Sequence, residues 1–110
     1  MDKDASQLLR EAGELVEKGW VRGSFYQSGR YCSIGALRQS AFGVPWQCKT
    51  SAQYRYATQL LARVMSEQFD IPMSWVPQQV VVAVNDEHAK NGKEIVACFE
   101  KAANLAEEGR

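Results

Sequence analysis

Four residues of this 110-residue chain have side chains that could carry out chemistry together, namely Cys32, Asn85, Asp86 and His88. Cys32 opens an apolar segment after a polar loop, so the pattern predicts that its thiol lies at the start of a helix. A helix N-terminus stabilises a thiolate, and a histidine oriented by an amide or a carboxylate can serve as its base. One hypothesis is therefore a thiol-dependent hydrolase or transferase that uses Cys32.

The same four residues also have a structural interpretation, which we favour. Free cysteine is among the most buried residue types, and the small Gly35 after Cys32 leaves room for another backbone to pack closely. Asn85 and Asp86 suit a turn or a helix cap, because their side chains bond to nearby backbone. His88 follows them in a segment that we expect to be an exposed turn, and nothing in the sequence brings it to Cys32.

Aromatic residues in predicted loops form a second candidate site. Tyr and Trp are frequent anchors of protein interfaces, and loops lie on protein surfaces. The alternative is that these rings cover the ends of a small helical core. We expect the loop aromatics to bind a partner protein, and the candidate contact residues are Trp20, Phe25, Tyr26, Tyr31 and Trp46.

The composition is that of an ordinary globular domain, with 45% apolar and 24% charged residues. A chain of this length can bury a core without disulfides or metals. The formal net charge is zero, whereas nucleic-acid-binding domains usually carry a basic excess. A local basic cluster keeps nucleic-acid binding as a third, weaker hypothesis, and its members are Lys18, Arg22, Arg30 and Arg38.

The cysteines Cys32, Cys48 and Cys98 contain no Cys-x-x-Cys pair, and no signal-peptide pattern follows Met1. We therefore expect reduced thiols and a cytoplasmic protein. No apolar run has the length of a membrane span. The single histidine, His88, lacks the ligand spacing of a zinc site. We expect no metal, no cofactor and no membrane contact.

Apolar periodicity predicts a mainly α fold, with residues 1–110 forming a single domain of four principal helices. The first helix covers about residues 5–18, with Asp4 as its N-cap and Gly19 at its end. The second helix covers about residues 32–42 and carries the candidate thiol at its start.

The other two principal helices have recognisable polar starts. Thr50 and Gln53 match a capping box, which predicts a third helix that runs to about residue 68. Asn91 is the expected cap of the last helix, over about residues 92–107. These helices supply most of the predicted core.

Two intervening segments are less regular. Residues 20–31 are predicted to be an ordered loop with a short hairpin, and so one strand pair, around Ser28-Gly29. Residues 79–84 are valine-rich, which favours a strand. However, Pro77 suits the first turn of a helix, and a lone strand would need a pairing partner. We favour the helix, and the strand remains the alternative.

Four features of the chain are the end of the first helix at Gly19-Trp20 and the motifs Gly29-Arg30-Tyr31-Cys32-Ser33-Ile34-Gly35-Ala36-Leu37, Asn85-Asp86 and Glu94-Ile95-Val96. Together they resemble a family of small uncharacterised proteins, the domain of unknown function 6197, of actinobacteria and their phages. The family has a similar Cys-x-x-Gly-Ala-Leu block and a later Asn-Asp. A tryptophan often precedes that Asn-Asp, where this chain has Val84. A threonine commonly starts the last helix, where this chain has Asn91-Gly92.

The resemblance implies an origin and not a mechanism, because the family carries no assigned activity. A phage or prophage origin favours a small accessory protein that acts in the host cytoplasm. Our leading hypothesis is therefore a non-enzymatic protein that binds a host or other partner protein through its loop aromatics.

Overall fold

Helices dominate the computed structural model, which describes residues 3–47, 49–73 and 75–109. The prediction of a mainly α fold is confirmed. The predicted number of helices, four, is one too few for the described residues, because the valine-rich segment forms a helix of its own. The prediction of a reduced thiol at Cys48 lies outside the described residues. Among those residues no helix is long and apolar enough to cross a membrane.

The elements in chain order are α1 (Ala5–Lys18), β1 (Tyr26–Gln27), β2 (Arg30–Tyr31), α2 (Ser33–Phe42), α3 (Ala52–Phe69), α4 (Pro77–Ala83) and α5 (Gly92–Glu107).

The first helix has the predicted bounds. The Asp4 carboxylate accepts a hydrogen bond from the Gln7 N–H at 2.9 Å, and the Gln7 side chain accepts from the Asp4 N–H at 3.0 Å. This reciprocal capping box satisfies backbone donors that the helix start leaves free. Packing of α1 is most extensive against α5, where Phe99 is fully buried. This is the most extensive contact between any two of these elements.

The start of α3 is one residue later than predicted. Ser51, and not Thr50, is the N-cap, and its hydroxyl accepts from the Tyr54 N–H at 3.1 Å. The predicted partner Gln53 instead accepts a hydrogen bond from the Ala5 N–H at 2.9 Å, which ties α3 to α1. The Thr50–Gln53 capping box is therefore wrong, because two adjacent residues could each cap the helix and the second does so.

The last helix begins as predicted, with the Asn91 side chain accepting from the Glu94 N–H at 3.1 Å. The Glu94 carboxylate accepts from the Lys90 N–H at 2.6 Å, so it bonds the residue before the N-cap and not the N-cap itself. The observed span, Gly92–Glu107, matches the predicted helix.

The valine-rich segment is helical, so the strand alternative is wrong. Pro77 occupies the first turn of α4, and Val80 and Val81 are fully buried. α4 packs against α3 and satisfies its own backbone, so it needs no strand partner. After Ala83 the chain widens into a single π-helical turn over Val84–His88.

The predicted hairpin is present. β1 and β2 pair antiparallel, with Tyr26 opposite Tyr31. The connecting residues Ser28 and Gly29 both have positive φ, 51° and 82°. Two successive positive φ values are typical of the tight turns whose twist suits a hairpin.

The hairpin touches α2 through its backbone. The Cys32 N–H donates to the Phe25 carbonyl oxygen at 3.3 Å. A Cβ atom on Gly35 would lie 1.9 Å from that same oxygen, so a larger residue does not fit. The prediction that Gly35 permits a close approach is confirmed. This contact fixes Phe25 above the first turn of α2.

Candidate functional site

Three of the four residues that could do chemistry line one small cavity. Cys32, Asn85 and Asp86 surround a space of about 260 Å³, together with Phe25 and other residues. His88 is exposed and is not among the described residues that line it. The structure therefore brings together the thiol, the amide and the carboxylate, and it leaves the candidate base outside.

The Cys32 thiol has a structural role at the start of α2. It is 6% exposed, and its Sγ accepts a hydrogen bond from the Gly35 N–H at 3.3 Å. Burial raises the pKa of the Cys32 thiol, and the Asp86 carboxylate raises it further, whereas nearby backbone N–H groups and Arg38 lower it. The net shift is upward, so burial outweighs the helix N-terminus. A nucleophilic cysteine needs the opposite shift.

Asn85 is the centre of a buried hydrogen-bond network. Its Oδ1 accepts from the Trp20 indole N–H at 2.8 Å, the Ser33 N–H at 3.0 Å and the Ser33 hydroxyl at 2.8 Å. Its Nδ2 donates to the Val21 carbonyl at 3.1 Å and to Asp86 Oδ1 at 2.9 Å. Every polar group of this side chain therefore has a partner, and α2, the π turn and the chain after α1 are joined.

The expected turn at Asn85 and Asp86 is instead a π-helical turn. Asn85 is only 1% exposed in that turn. Its hydrogen-bond partners Trp20, Val21 and Ser33 are distant from it in the chain. Asp86 accepts from the Gly23 N–H at 3.0 Å. Arg22 lies over the Trp20 ring at 4.9 Å and donates to the Ala89 carbonyl. These contacts hold the loop after α1 against the π turn.

The predicted aromatic contact residues divide into two groups. Trp20 and Tyr31 are half-buried, Trp20 through its bond to Asn85 and Tyr31 within β2. Phe25, Tyr26 and Trp46 are exposed. The predicted contact residues did not include three exposed apolar residues of the loop before α4, although the flanking Pro72 and Pro77 could have marked that loop. They are Met73, Trp75 and Val76.

The basic cluster does not form one exposed face. Lys18 and Arg30 are exposed, but Arg38 is only 7% exposed and lies inside the molecule. Its guanidinium carbon is 4.7 Å from the centre of the Phe25 ring. An extended nucleic-acid backbone contacts cations on an exposed face, so the burial of Arg38 removes one member of the predicted nucleic-acid surface.

The described residues contain no cluster of three or more His, Cys, Asp or Glu side chains that could hold a metal ion. A known protein family matches this sequence. The model of a family described as a family of unknown function (DUF6197) matches residues 1–105. No curated protein and no solved structure matches the chain. Since the match covers nearly the whole sequence, the chain belongs to the family of unknown function DUF6197.

Proposed function

We propose that this chain is a small non-enzymatic accessory protein that binds another protein through an exposed apolar surface. The observation that supports it is a set of large apolar side chains left exposed on the hairpin and on the loop before α4. This set, here called the apolar surface, consists of Phe25 (39% exposed), Tyr26 (43%), Met73 (48%), Trp75 (44%) and Val76 (59%).

Each half of the apolar surface contributes one residue, Phe25 or Val76, to a cavity that is also lined by Gln78. Met73 and Trp75 shortly precede Val76 in the chain. The hairpin and the loop before α4 therefore border a common region of the protein.

The chemistry of this surface suits a protein partner. Clustered exposed apolar side chains on a globular domain often mark an interaction site. Tyr and Trp are enriched among the residues that contribute most to binding. The hairpin is seated on Gly35, so Phe25 and Tyr26 are held in place before binding, which lowers the entropic cost of association. We do not propose thiol chemistry, because the pKa of Cys32 is raised and His88 lies outside the cavity.

The origin of the chain is part of the same proposal. The resemblance to proteins of actinobacteria and their phages makes a host protein the proposed partner. A gene position among phage genes supports this origin, and a position in a conserved set of host metabolic genes contradicts it.

A comparison of variants in a host lysate tests the proposed binding. Tagged wild-type protein should recover a specific partner, and the double variant Tyr26→Ser/Trp75→Ser should recover about tenfold less, because two interface anchors are lost. The control Glu14→Ser/Glu17→Ser alters the exposed face of α1 and should recover as much as wild type. Titration of the purified partner should give the same ranking of dissociation constants. Equal recovery by both double variants contradicts the proposal.

The single variant Trp46→Ser tests whether the interface extends beyond the apolar surface. Trp46 is 62% exposed and was among the predicted contact residues. Reduced recovery by Trp46→Ser places it in the interface, and wild-type recovery confines binding to the hairpin and the loop before α4.

A further inference from the structure

A second cavity carries an unusual concentration of positive charge. It has a volume of about 330 Å³ and lies between α2, the first half of α3 and the start of α4. Three cationic residues line it, and no Asp or Glu is among its described lining residues. The cations are Arg38, Lys49 and Arg55.

Arg38 is the buried member of this set, and its hydrogen bonding is incomplete. Its Nη1 is buried and has no partner within the described parts of the chain. Its Nε lies 3.4 Å from the Tyr54 hydroxyl and its Nη2 lies 3.5 Å from Gln78 Oε1, both at the outer limit of a hydrogen bond. A buried charge is costly unless it is paired and hydrogen-bonded. Arg38 therefore lacks an anionic acceptor.

The Phe25 ring does not supply that acceptor. The ring lies 4.7 Å from the guanidinium carbon of Arg38 and attracts the cation through its π face. It carries no net charge and accepts no in-plane N–H hydrogen bond. Within the described ranges, no carboxylate forms an ion pair with Arg38, Lys49 or Arg55.

The remaining walls suit a small organic anion. The hydroxyl of Tyr54 and the amide of Gln78 provide polar groups, while Val76 and Pro77 provide an apolar side. The volume lies at the lower end of the range of small-molecule sites, roughly 300–1,000 Å³. The cavity can therefore hold an anionic group together with a small apolar or polar remainder.

We propose that this cavity binds the phosphate group of a small phosphomonoester, with Arg38 at its inner wall and Lys49 and Arg55 at its rim. The planar guanidinium presents paired donors that match a phosphate or carboxylate. A phosphomonoester carries about −1.5 to −2 charge at pH 7, so three cations without a carboxylate favour it over a monocarboxylate. This site does not depend on the proposed protein partner.

Calorimetric titration at constant ionic strength tests the site, with phenyl phosphate, inorganic phosphate and benzoate as probes. Wild-type protein should bind phenyl phosphate saturably and about tenfold more tightly than benzoate, because the dianion meets three cations. Nitrogen-15 NMR should show a shift of the Arg38 Nε–H signal during the same titration. Inorganic phosphate should compete with phenyl phosphate for the site.

Matched variants distinguish a built site from general attraction to cations. The double variant Lys49→Gln/Arg55→Gln changes only exposed side chains and should weaken phenyl phosphate binding about tenfold or more. The control Arg63→Gln lies on the same helix outside the cavity, where Arg63 pairs with Glu67 at 3.8 Å, and should bind as wild type does. The variant Arg38→Gln should lose saturable binding.

The proposal is overturned by an absence of saturable phenyl phosphate binding, by equal weakening in the Arg63→Gln control, or by tighter binding of benzoate than of phenyl phosphate. If Arg38→Gln does not fold, the Lys49→Gln/Arg55→Gln variant and the Arg38 NMR signal still decide the question. An unshifted Arg38 signal at saturating phenyl phosphate also overturns it.

Discussion

Asn85 and Arg38 are both buried polar side chains, and they differ in how their polar groups are satisfied. The carboxamide of Asn85 makes five hydrogen bonds, to Trp20, Ser33, Val21 and Asp86. The guanidinium of Arg38 has two long hydrogen bonds, one ring contact and one nitrogen without a partner among the described residues.

This difference separates a residue that holds the fold from one that can bind a ligand. A fully satisfied buried network rigidifies the elements that it joins. A buried polar group without a partner is a cost to the folded state, and such groups in native proteins call for an explanation. We attribute the completeness of the Asn85 network to architecture and the incomplete bonding of Arg38 to binding.

The largest expected effect concerns the backbone contact that places the hairpin beside Asn85. Gly35→Ala puts a Cβ atom 1.9 Å from the Phe25 carbonyl oxygen, so the hairpin or α2 must move. We expect a loss of about 4 kcal/mol or more in the free energy of unfolding, measured by urea denaturation. Gly92→Ala is the matched control, since its nearest neighbour is the Trp20 side chain at 3.1 Å. A loss at Gly35 no larger than that at Gly92 would show that the hairpin adjusts freely.

The next effect tests the network itself. Asn85→Ala leaves the Ser33 hydroxyl and N–H and the Trp20 indole without their common acceptor. We expect a loss of about 3 kcal/mol in the free energy of unfolding, because each unsatisfied buried group costs about 1–3 kcal/mol. The exposed Gln79→Ala on α4 is the control and should change stability little. A loss below about 1 kcal/mol at Asn85 would break the contrast with Arg38.

Cys98 extends the comparison to a buried group that is neutral at physiological pH. Its Sγ lies 3.6 Å from Gln68 Oε1, and burial raises the pKa of the thiol from 9.0 to about 11. Because the folded-state pKa is the higher one, the stability associated with the protonated thiol is complete below pH 9 and is lost as the pH rises through 11.

Cys98→Ala should therefore remove part of the alkaline loss of stability. The free energy of unfolding of wild type relative to Cys98→Ala should fall by about 2 kcal/mol between pH 8 and pH 11. Urea denaturation at several pH values measures it. A difference that stays constant over this range would mean that the thiol has its ordinary pKa in the folded protein.

The smallest effect is expected at Arg38 itself. Arg38→Met removes the buried charge and keeps a similar unbranched side chain, so the loss of the Phe25 contact is offset by the relief of desolvation. We expect the free energy of unfolding to change by less than about 1 kcal/mol. Urea denaturation beside Asn85→Ala gives the comparison directly.

Local features of the fold could be predicted from the sequence. The Asp4 cap, the Ser28-Gly29 turn and the Asn91 cap each depend on residues that are close in the chain. The α3 cap was misplaced by one residue, because neighbouring Thr50 and Ser51 offer the same chemistry. The valine-rich segment was ambiguous, since β-propensity and the proline signal oppose each other.

The candidate sites depend on long-range contacts, which the sequence does not reveal. Trp20 and Asn85 are 65 residues apart in the chain, and Arg38 and Gln78 are 40 apart. Periodicity and capping patterns do not report such pairs. The sequence therefore placed Asn85 in a turn or helix cap and Arg38 in a basic cluster, and the fold buries both.

The most direct test of the contrast is the free energy of unfolding of wild type and Arg38→Met, each measured with and without phenyl phosphate. Without ligand, we predict similar free energies of unfolding for the two proteins. With phenyl phosphate at ten times its dissociation constant, we predict a gain of about 1 kcal/mol or more in the free energy of unfolding of wild type and no gain for Arg38→Met. A loss of about 3 kcal/mol in Arg38→Met without ligand, with the same response to phenyl phosphate in both proteins, would show that Arg38 serves the fold and not a ligand.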